Sequence, residues 1–197
     1  MKAQEFFEKQ FSEGFFYSGR HKKNLKELFA LIRVPEAPVI LDIGFGEPSE
    51  LIFLNETFAG STVVGLDIYE KKMKGITHGL REFNRIRVFR GDINALEFEE
   101  EYFNAIFSFN SFYFSRSAES VLAAILGSLK RKGVFALELD FYSGHKSRNQ
   151  AVYDKYNIEY NTCQADHLLE NMKNLRFIDT GHYISSQGNL FIYGYKK

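Results

Sequence analysis

The chain has 197 residues, of which 45% are hydrophobic and 25% are charged, so it can bury the core of one globular domain and is not disordered. Lys plus Arg equals Asp plus Glu at 25 each, a balance that argues against a general attraction to nucleic acid or to an anionic membrane. No apolar run reaches about 18 residues and the opening segment is charged, so neither a membrane span nor a signal peptide is expected. The single cysteine, Cys163, excludes an internal disulfide and fits a cytoplasmic location.

Apolar strand-like runs alternate with helical patterns along the chain, an order that predicts a doubly wound α/β sheet. Helices are predicted over residues 22–33, 48–57, 70–83, 118–130 and about 149–173. Strands are predicted over residues 39–43, 62–66, 86–90, 103–109, 134–139, 176–183 and 189–195. A short link joins the last two strands, so they should form an antiparallel hairpin. The sequence therefore predicts one domain with a Rossmann-like sheet of about seven strands, mostly parallel, and an antiparallel C-terminal strand.

A glycine-rich turn, LDIGFGE, follows the first predicted strand. Gly44 and Gly46 allow the positive φ and the close backbone approach that a turn over a ligand needs, and Pro48 suits the first turn of the next helix. Two carboxylates, Asp42 and Glu47, flank the turn and would repel a pyrophosphate. They suit a ligand that carries a sulfonium and an ammonium, which is S-adenosylmethionine. A glycine pair on its own can also merely close a turn.

Polar residues stand at the ends of the next predicted strands, and open α/β sheets bind ligands beyond the carboxyl ends of their strands. Asp67 comes 21 residues after Gly46, where an acid can accept both ribose hydroxyls, although it could also cap a helix. Asp92 could hold an adenine amine with Ile93 against the ring, or serve as a plain turn carboxylate. Asn110 follows the fourth strand.

These segments resemble the class I S-adenosylmethionine-dependent methyltransferases, in particular the small-molecule branch related to the ubiquinone/menaquinone-type enzymes. The resemblance runs from about residue 24 to the C terminus and rests on LDIGFGE, VVGLDIYEKKM, GDI, FNAIFSFNSFYF and AESVLAAILGSLKRKGVFALE. One departure is Glu47-Pro48, where the family usually has glycine or a small residue. The resemblance implies a methionine end lined by Asp42, Gly44 and Gly46, ribose at Asp67 and Ile68, adenine at Asp92 and Ile93, and Asn110 facing the transferring methyl.

The activity implied is methyl transfer from S-adenosylmethionine to a small-molecule acceptor. A general base is needed only if the acceptor is protonated at working pH, and the candidate bases are Tyr113 and His145. Together with Asn110 they are the expected catalytic residues. Aromatic residues crowd the loops after the fourth and fifth strands and are expected to wall an acceptor cleft, although most of these rings could be core. His145 could equally be a solvated loop residue, and no metal site is recognisable.

The N-terminal segment, residues 1–35, is expected to form a helical lid in which Arg20 or Asn24 could reach the cofactor's carboxylate. The basic stretch from Lys71 to Arg90 hints at nucleic acid, but a solvated helix face and an edge strand also explain it. Two alternatives stay open: an RNA or tRNA base methyltransferase, and a cofactor-binding protein of the same fold without catalysis. The expected partner is a small-molecule acceptor rather than nucleic acid or a membrane, in a monomer or a homodimer.

Overall fold

A computed structural model describes residues 19–68 and 73–197 of the chain. The aromatic start of the expected lid, residues 1–18, lies outside the described residues, as do Lys71, Lys72 and the side chain of Arg20. The expected contact between Arg20 and a cofactor therefore stays a prediction. Across the described ranges, no helix combines the length and the apolar character needed to cross a bilayer.

The described residues form one sheet with helices on both faces. Its strands are β1 (Val39–Ile43), β2 (Thr62–Asp67), β3 (Ile86–Arg90), β4 (Phe103–Phe109), β5 (Leu129–Leu139), β6 (Ile178–Ile184) and β7 (Leu190–Tyr195). Its helices are α1 (Gly19–Leu31), α2 (Pro48–Thr57), α3 (Met73–Gly79), α4 (Ala118–Ser128), α5 (Arg148–Tyr156) and α6 (Ala165–Asn174). Short 3-10 turns lie at Ile93–Ala95 and Phe112–Phe114.

The seven strands are ordered β3-β2-β1-β4-β5-β7-β6. Strands β1 to β5 are parallel to their neighbours, and β7 runs antiparallel between β5 and β6. This arrangement confirms the predicted Rossmann-like fold with its antiparallel last strand. The order reverses between β1 and β4, so the carboxyl ends of these two strands border the crevice where such sheets bind ligands.

Four elements, β1, β3, β4 and α2, have the predicted bounds because strong local signals enclose them. Strand β1 is an apolar, β-branched run that is covered on both faces, as expected of a central parallel strand. Helix α2 begins at Pro48, whose missing N–H costs nothing in a first turn. Strand β3 lies at the edge of the sheet. This position agrees with the interpretation that the arginines of β3 are solvated.

The predicted helix over residues 70–83 ends earlier, at Gly79, and its predicted start lies outside the described residues. The largest departures from the predicted bounds are at β5 and at the helix that follows it. Strand β5 begins at Leu129 rather than at residue 134, because Leu129 pairs with Phe103 across an irregularity in the β4–β5 ladder, where Lys132 takes a positive φ of 62°. The predicted helix over residues 149–173 is two helices, since Asn157 adopts a left-handed conformation with φ 52° and ends α5.

The pleat of the sheet decides which strand-end residues meet. Residues paired in register share a face, so Asp42 lies on the same face as its partners Gly65 and Phe107, and Glu138 lies on the face of its partner Phe109. Phe107 and Phe109 pack in the core beneath α1 and α2. The carboxylates at the ends of β1, β2 and β5 therefore converge on the α1–α2 side of the sheet.

Candidate active site

The turn from β1 to α2 is held tightly against the loop that follows β4. Gly44 has φ +78° and donates its N–H to the Leu66 carbonyl at 2.7 Å. A Cβ on Gly44 would lie 2.4 Å from the Ser111 Cβ, a distance that side-chain atoms do not tolerate. Ser111 in turn donates its hydroxyl to the Ile43 carbonyl at 2.5 Å. Glycine is thus required at position 44 by both the backbone conformation and the space.

Asp42 is the most unusual group at this turn. Its side chain is fully buried, yet neither carboxylate oxygen accepts a hydrogen bond from the described residues. Burial raises the pKa of the Asp42 carboxyl well above its usual range, and the negative charge of Asp67 raises it further. A buried polar group without a partner is costly, so the arrangement indicates a place for a ligand that brings donors or a positive charge.

Asp67 secures the glycine-rich turn with both oxygens. Its Oδ2 accepts the N–H of Gly46 at 2.9 Å, and its Oδ1 accepts the N–H of Ile68 at 2.7 Å. Gly46 has φ +61°, which turns its N–H toward the end of β2. Each carboxylate oxygen can accept more than one donor, so these bonds leave capacity for the expected ribose hydroxyls.

Two buried glutamates join Asp42 and Asp67 on this side of the sheet. Glu50 lies on α2 with 2% of its surface exposed, and Glu138 lies near the end of β5 with none exposed. Burial raises the pKa of Glu50 well above its usual range, followed by the negative charges of Glu138 and Asp67. We name these four residues, Asp42, Glu50, Asp67 and Glu138, the acid-lined face.

Helix α1 brings nitrogen donors to the acid-lined face. Asn24 donates its Nδ2 to Glu138 Oε1 at 2.9 Å, and Asn189, just before β7, donates to the same oxygen at 2.7 Å. His21 lies between the two glutamates, with its Nδ1 3.0 Å from Glu138 Oε2 and its Nε2 3.8 Å from Glu50 Oε1. Asn24 was predicted to reach a cofactor carboxylate. In the structure its side-chain amide donates a hydrogen bond to Glu138.

Sequence reasoning missed Glu50, Glu138 and His21. One available signal was Glu138 itself, because a charged residue in a central strand that is otherwise apolar demands a partner. Glu50 gave no such signal, since glutamate is common in the first turns of helices. Its burial depends on how α2 packs on the sheet beside β2, which a local sequence pattern does not show.

The predicted adenine residues lie beyond β3. Asp92 Oδ1 accepts both the backbone N–H and the side-chain Nδ2 of Asn94 at 2.9 Å, and so caps the 3-10 turn that follows. Ile93 is 9% exposed and packs in the core on the sheet face opposite α1. The capping role and the expected adenine contact are compatible, because Asp92 keeps its second oxygen for a ligand.

A second polar cluster lies at the ends of β4 and β5. Asn110, with φ +52°, accepts the N–H of Asp140 on its Oδ1 at 2.8 Å. Tyr113 donates its hydroxyl to Asp140 Oδ1 at 3.0 Å, and Asn149 donates its Nδ2 to Asp140 Oδ2 at 2.7 Å. We name these four residues, Asn110, Tyr113, Asp140 and Asn149, the β5-end network. Burial raises the pKa of Asp140, while hydrogen bonds from Ser147 and Tyr113 oppose that rise.

Tyr113 does not line an open cleft, contrary to the expectation for the loop after β4. Its side chain is fully buried and stacks on Phe141 with 4.3 Å between ring centroids. Burial, followed by the charge of Asp140, raises the pKa of Tyr113 well above its usual range, which disfavours the phenolate that a general base requires. The rings of Phe112, Tyr113, Phe141 and Tyr153 are core, the alternative that the sequence had left open.

His145 lies apart from the β5-end network. It is half-buried in a turn whose backbone pairs it with Tyr142, and the two rings stack at 5.1 Å. It borders an open groove of about 570 Å³ together with Tyr142, Lys146, Gln150 and Thr162. The structure thus groups Asn110 with Tyr113 around Asp140, and it places His145 at the border of this groove.

A known protein family matches the central part of the chain. Residues 40–133 match the family model described as a methyltransferase domain. The match begins in β1, includes the glycine-rich turn, and ends in β5. Comparison with curated proteins gives no match.

Solved structures share the whole architecture at low sequence identity. A chain of the complex between the Haloferax volcanii Trm112 methyltransferase activator and a methyltransferase matches with a TM-score of 0.76 and 17% identity, over 98% of this chain and 96% of that one. Haemonchus contortus phosphoethanolamine N-methyltransferase 2, in complex with S-adenosyl-L-methionine, matches with a TM-score of 0.72 and 16% identity over 89% of this chain. Geranyl diphosphate C-methyltransferase from Streptomyces coelicolor matches with a TM-score of 0.70, 13% identity and coverage of 89% and 79%.

The fold defined by these likenesses is the Rossmann-like methyltransferase fold. The chain spans about half of the Haemonchus chain, 52%, but nearly all of the Haloferax one. The family model matches the central part of the chain, and the solved structures share its fold.

Proposed function

We propose that the protein binds S-adenosylmethionine at the carboxyl edge of the sheet and transfers its methyl group to a small-molecule acceptor. The observation that carries the proposal is Asp42, a fully buried carboxylate without a hydrogen-bond donor, directly before a turn that brings backbone close to a ligand. A cationic ligand would relieve the cost of that buried group, whereas a pyrophosphate would add to it.

The donor set fits this cofactor. Asp42 and Glu138 offer buried carboxylate oxygens to an ammonium, and Gly44 lets the turn beside them pack closely against Ser111 because it has no side chain. Asp67 offers its remaining acceptor capacity to ribose hydroxyls while it holds the turn. The remaining proposed contacts are Ile68 at ribose, Asp92 and Ile93 at adenine, Arg20 at the carboxylate and Asn110 near the methyl.

The sulfonium supplies an electrophilic methyl group, so little covalent work is left to the protein. The chain's own contribution is to hold two reactants in line and away from water, which can supply about 7 to 11 kcal/mol of the barrier. Asn110 is suited to shaping this position, because its strained backbone and its bond to the Asp140 N–H fix the start of the loop.

Titration calorimetry with S-adenosylhomocysteine tests the proposal. We expect micromolar binding, and we expect Asp42→Asn to weaken it by about 2 to 4 kcal/mol, since one partner of a buried charged contact is lost. Asp154→Asn is the matched control, because Asp154 is exposed and bonds only Tyr160 among the contacts described. Absence of binding by the unaltered protein, with NADH bound instead, would assign it to the dehydrogenases.

Two alternatives make different predictions. A base methyltransferase acting on RNA should bind tRNA with an affinity that falls about a thousandfold between 50 and 200 mM salt for six phosphate contacts. We expect no such binding, because Arg85 and Arg87 donate to the carbonyls of Gly60, Asn84 and Ile86 within the chain. A cofactor-binding protein without catalysis would bind S-adenosylmethionine but form no methylated product from any acceptor.

The finer assignments are also proposals. Membership of the ubiquinone/menaquinone-type branch rests on the sequence resemblance, and a cytoplasmic location rests on the single cysteine. A monomeric or homodimeric state is a further expectation. Light scattering of the purified chain measures the mass in solution and decides the last of these. The mass expected for one chain is 22.8 kDa.

A further inference from the structure

Asp140 stands where the acceptor side of the proposed reaction lies, and sequence reasoning did not single it out. It follows the last residue of β5 and is tied through its backbone N–H to Asn110, at the end of β4. Asp140 as a residue is partly exposed, so it is not sealed within the core. The residues that follow the carboxyl ends of β4 and β5 therefore meet at Asp140, beside the crevice of the sheet.

Every donor that the described side chains give to Asp140 is neutral. Tyr113 supplies a hydroxyl to one oxygen and Asn149 an amide to the other. No Lys, Arg or His among the described side chains lies within ion-pair distance of this carboxylate. A carboxylate that is largely removed from water and lacks a cation is stabilised by a ligand that brings one.

Aromatic rings surround the same position. Phe141 follows Asp140 and stacks on Tyr113, and the Tyr160 ring meets the Phe141 ring edge to face at 5.1 Å. Tyr153 lies near enough for the charge of Asp140 to affect its hydroxyl. These buried rings limit the water around Asp140, and a hydroxyl acceptor would not neutralise its charge.

We propose that Asp140 is a catalytic residue that selects an amine as the methyl acceptor. This inference rests on the proposed function. The acceptor ammonium gives one proton to a carboxylate oxygen of Asp140, and the freed nitrogen lone pair forms the N–C bond with the sulfonium methyl. The C–S bond breaks with its electron pair going to sulfur, which leaves a neutral thioether and a methylated ammonium. Asp140 then returns its proton to water.

A pair of probes that differ only in charge tests this assignment without turnover. Benzylamine and benzyl alcohol are titrated into the protein loaded with S-adenosylhomocysteine, and binding is followed by NMR of the protein amides. We expect the protonated amine to bind about tenfold more tightly than the alcohol, because a charge-assisted bond replaces a neutral one. Asp140→Asn should bring the two affinities within about twofold.

Three controls separate the explanations. Asp154→Asn removes a nearby exposed carboxylate and should leave the preference for the amine intact. Tyr113→Phe disturbs the β5-end network but keeps the carboxylate, so the preference should also survive. If Asp140→Asn does not fold, Asp140→Ser provides the same comparison, with the affinity for S-adenosylhomocysteine as the check on folding.

The outcomes distinguish the two proposals. Failure of the unaltered protein to bind S-adenosylhomocysteine would reject the proposed function. Normal binding of S-adenosylhomocysteine with equal affinity for both probes, with no binding of either probe, or with a preference that persists in Asp140→Asn would reject only the role of Asp140. Loss of the preference in Tyr113→Phe would make the network, rather than the charge, its source.

Discussion

The acid-lined face and the β5-end network are both built from polar residues at strand ends, but they differ in what satisfies them. In the β5-end network, Asp140 receives side-chain hydrogen bonds from Tyr113 and Asn149. On the acid-lined face, Asp42 receives none from the described residues. The side chains of the first region are held by hydrogen bonds within the chain, whereas the second region contains a buried carboxylate that lacks such bonds.

This difference predicts that removal of a polar group changes the free energy of unfolding in opposite directions in the two regions. Replacement of the Asp42 carboxylate on the acid-lined face should stabilise the ligand-free protein, since a buried group without a partner costs free energy. Removal of a donor from the β5-end network should destabilise it, since a satisfied bond is lost. If both regions only stabilised the fold, removal of a polar group would change the free energy of unfolding in the same direction in both.

The largest effect is expected at the junction of the two regions. Gly44→Ala places a Cβ 2.4 Å from that of Ser111 and holds alanine at φ +78°, so we expect the free energy of unfolding to fall by about 2 to 6 kcal/mol. Urea denaturation followed by circular dichroism measures it. Gly144→Ala is the matched control, because Gly144 has φ +86° and open space around it, and it should cost only the backbone strain. Equal losses in both variants would show that the contact with Ser111 is not limiting.

The next effect concerns pH. The pKa values of Asp42 and Glu50 are raised in the folded protein, so both stay protonated there while the unfolded chain has already released its protons. The free energy of unfolding of the ligand-free protein should therefore fall as the pH rises from the ordinary carboxyl range to the raised pKa values. Asp42→Asn should reduce this fall and increase stability at neutral pH by about 1 to 2 kcal/mol.

Denaturation of the ligand-free protein across a pH series measures this change. Asp154→Asn serves as the control, because its exposed carboxylate should not alter the slope of stability against pH. A neutral-pH stability of Asp42→Asn below that of the unaltered protein would mean that Asp42 is satisfied within the chain. The acid-lined face would then resemble the β5-end network.

The smallest effect is expected in the β5-end network. Tyr113→Phe removes the hydroxyl that donates to Asp140 and should lower the free energy of unfolding by about 0.5 to 1.5 kcal/mol. Tyr102→Phe is a suitable control, because Tyr102 is 44% exposed and should show no change. Thermal denaturation of the two variants in parallel gives the comparison. A more stable Tyr113→Phe would reverse the sign that distinguishes the two regions.

The sequence predicted the fold well because its strongest signals are local. The apolar run of β1 ends at two glycines and a proline, and the bounds of β1 and α2 follow from those residues alone. The start of β5 was wrong because Lys130 to Lys132 continue a helical pattern. Only the pairing of Leu129 with Phe103 turns that segment into a strand.

The site was predicted in part for the same reason. Asp42, Gly44 and Asp67 stand at strand ends that the sequence locates, and the structure brings them together. Glu50 and Asp140 could not be assigned from local pattern, because their role depends on burial and on partners from distant segments. Glu138 gave a local signal, but its partners lie on distant segments. Tyr113 was placed in a cleft because the sequence cannot distinguish an aromatic residue that lines a pocket from one that packs beneath it.

The position of Glu138 has a consequence for how the protein folds. Its Oε1 joins a residue of α1 that is 114 positions away to a residue before β7 that is 51 positions away. Contacts between such distant segments require the closure of long chain loops, and these closures slow folding. Local pieces such as the β6–β7 hairpin can form early, whereas Glu138 acquires both partners only when the segments carrying Asn24 and Asn189 have docked. The acid-lined face is therefore among the last parts of the molecule to assemble, because it is complete only after β7 has paired with β5 and α1 has docked on the sheet.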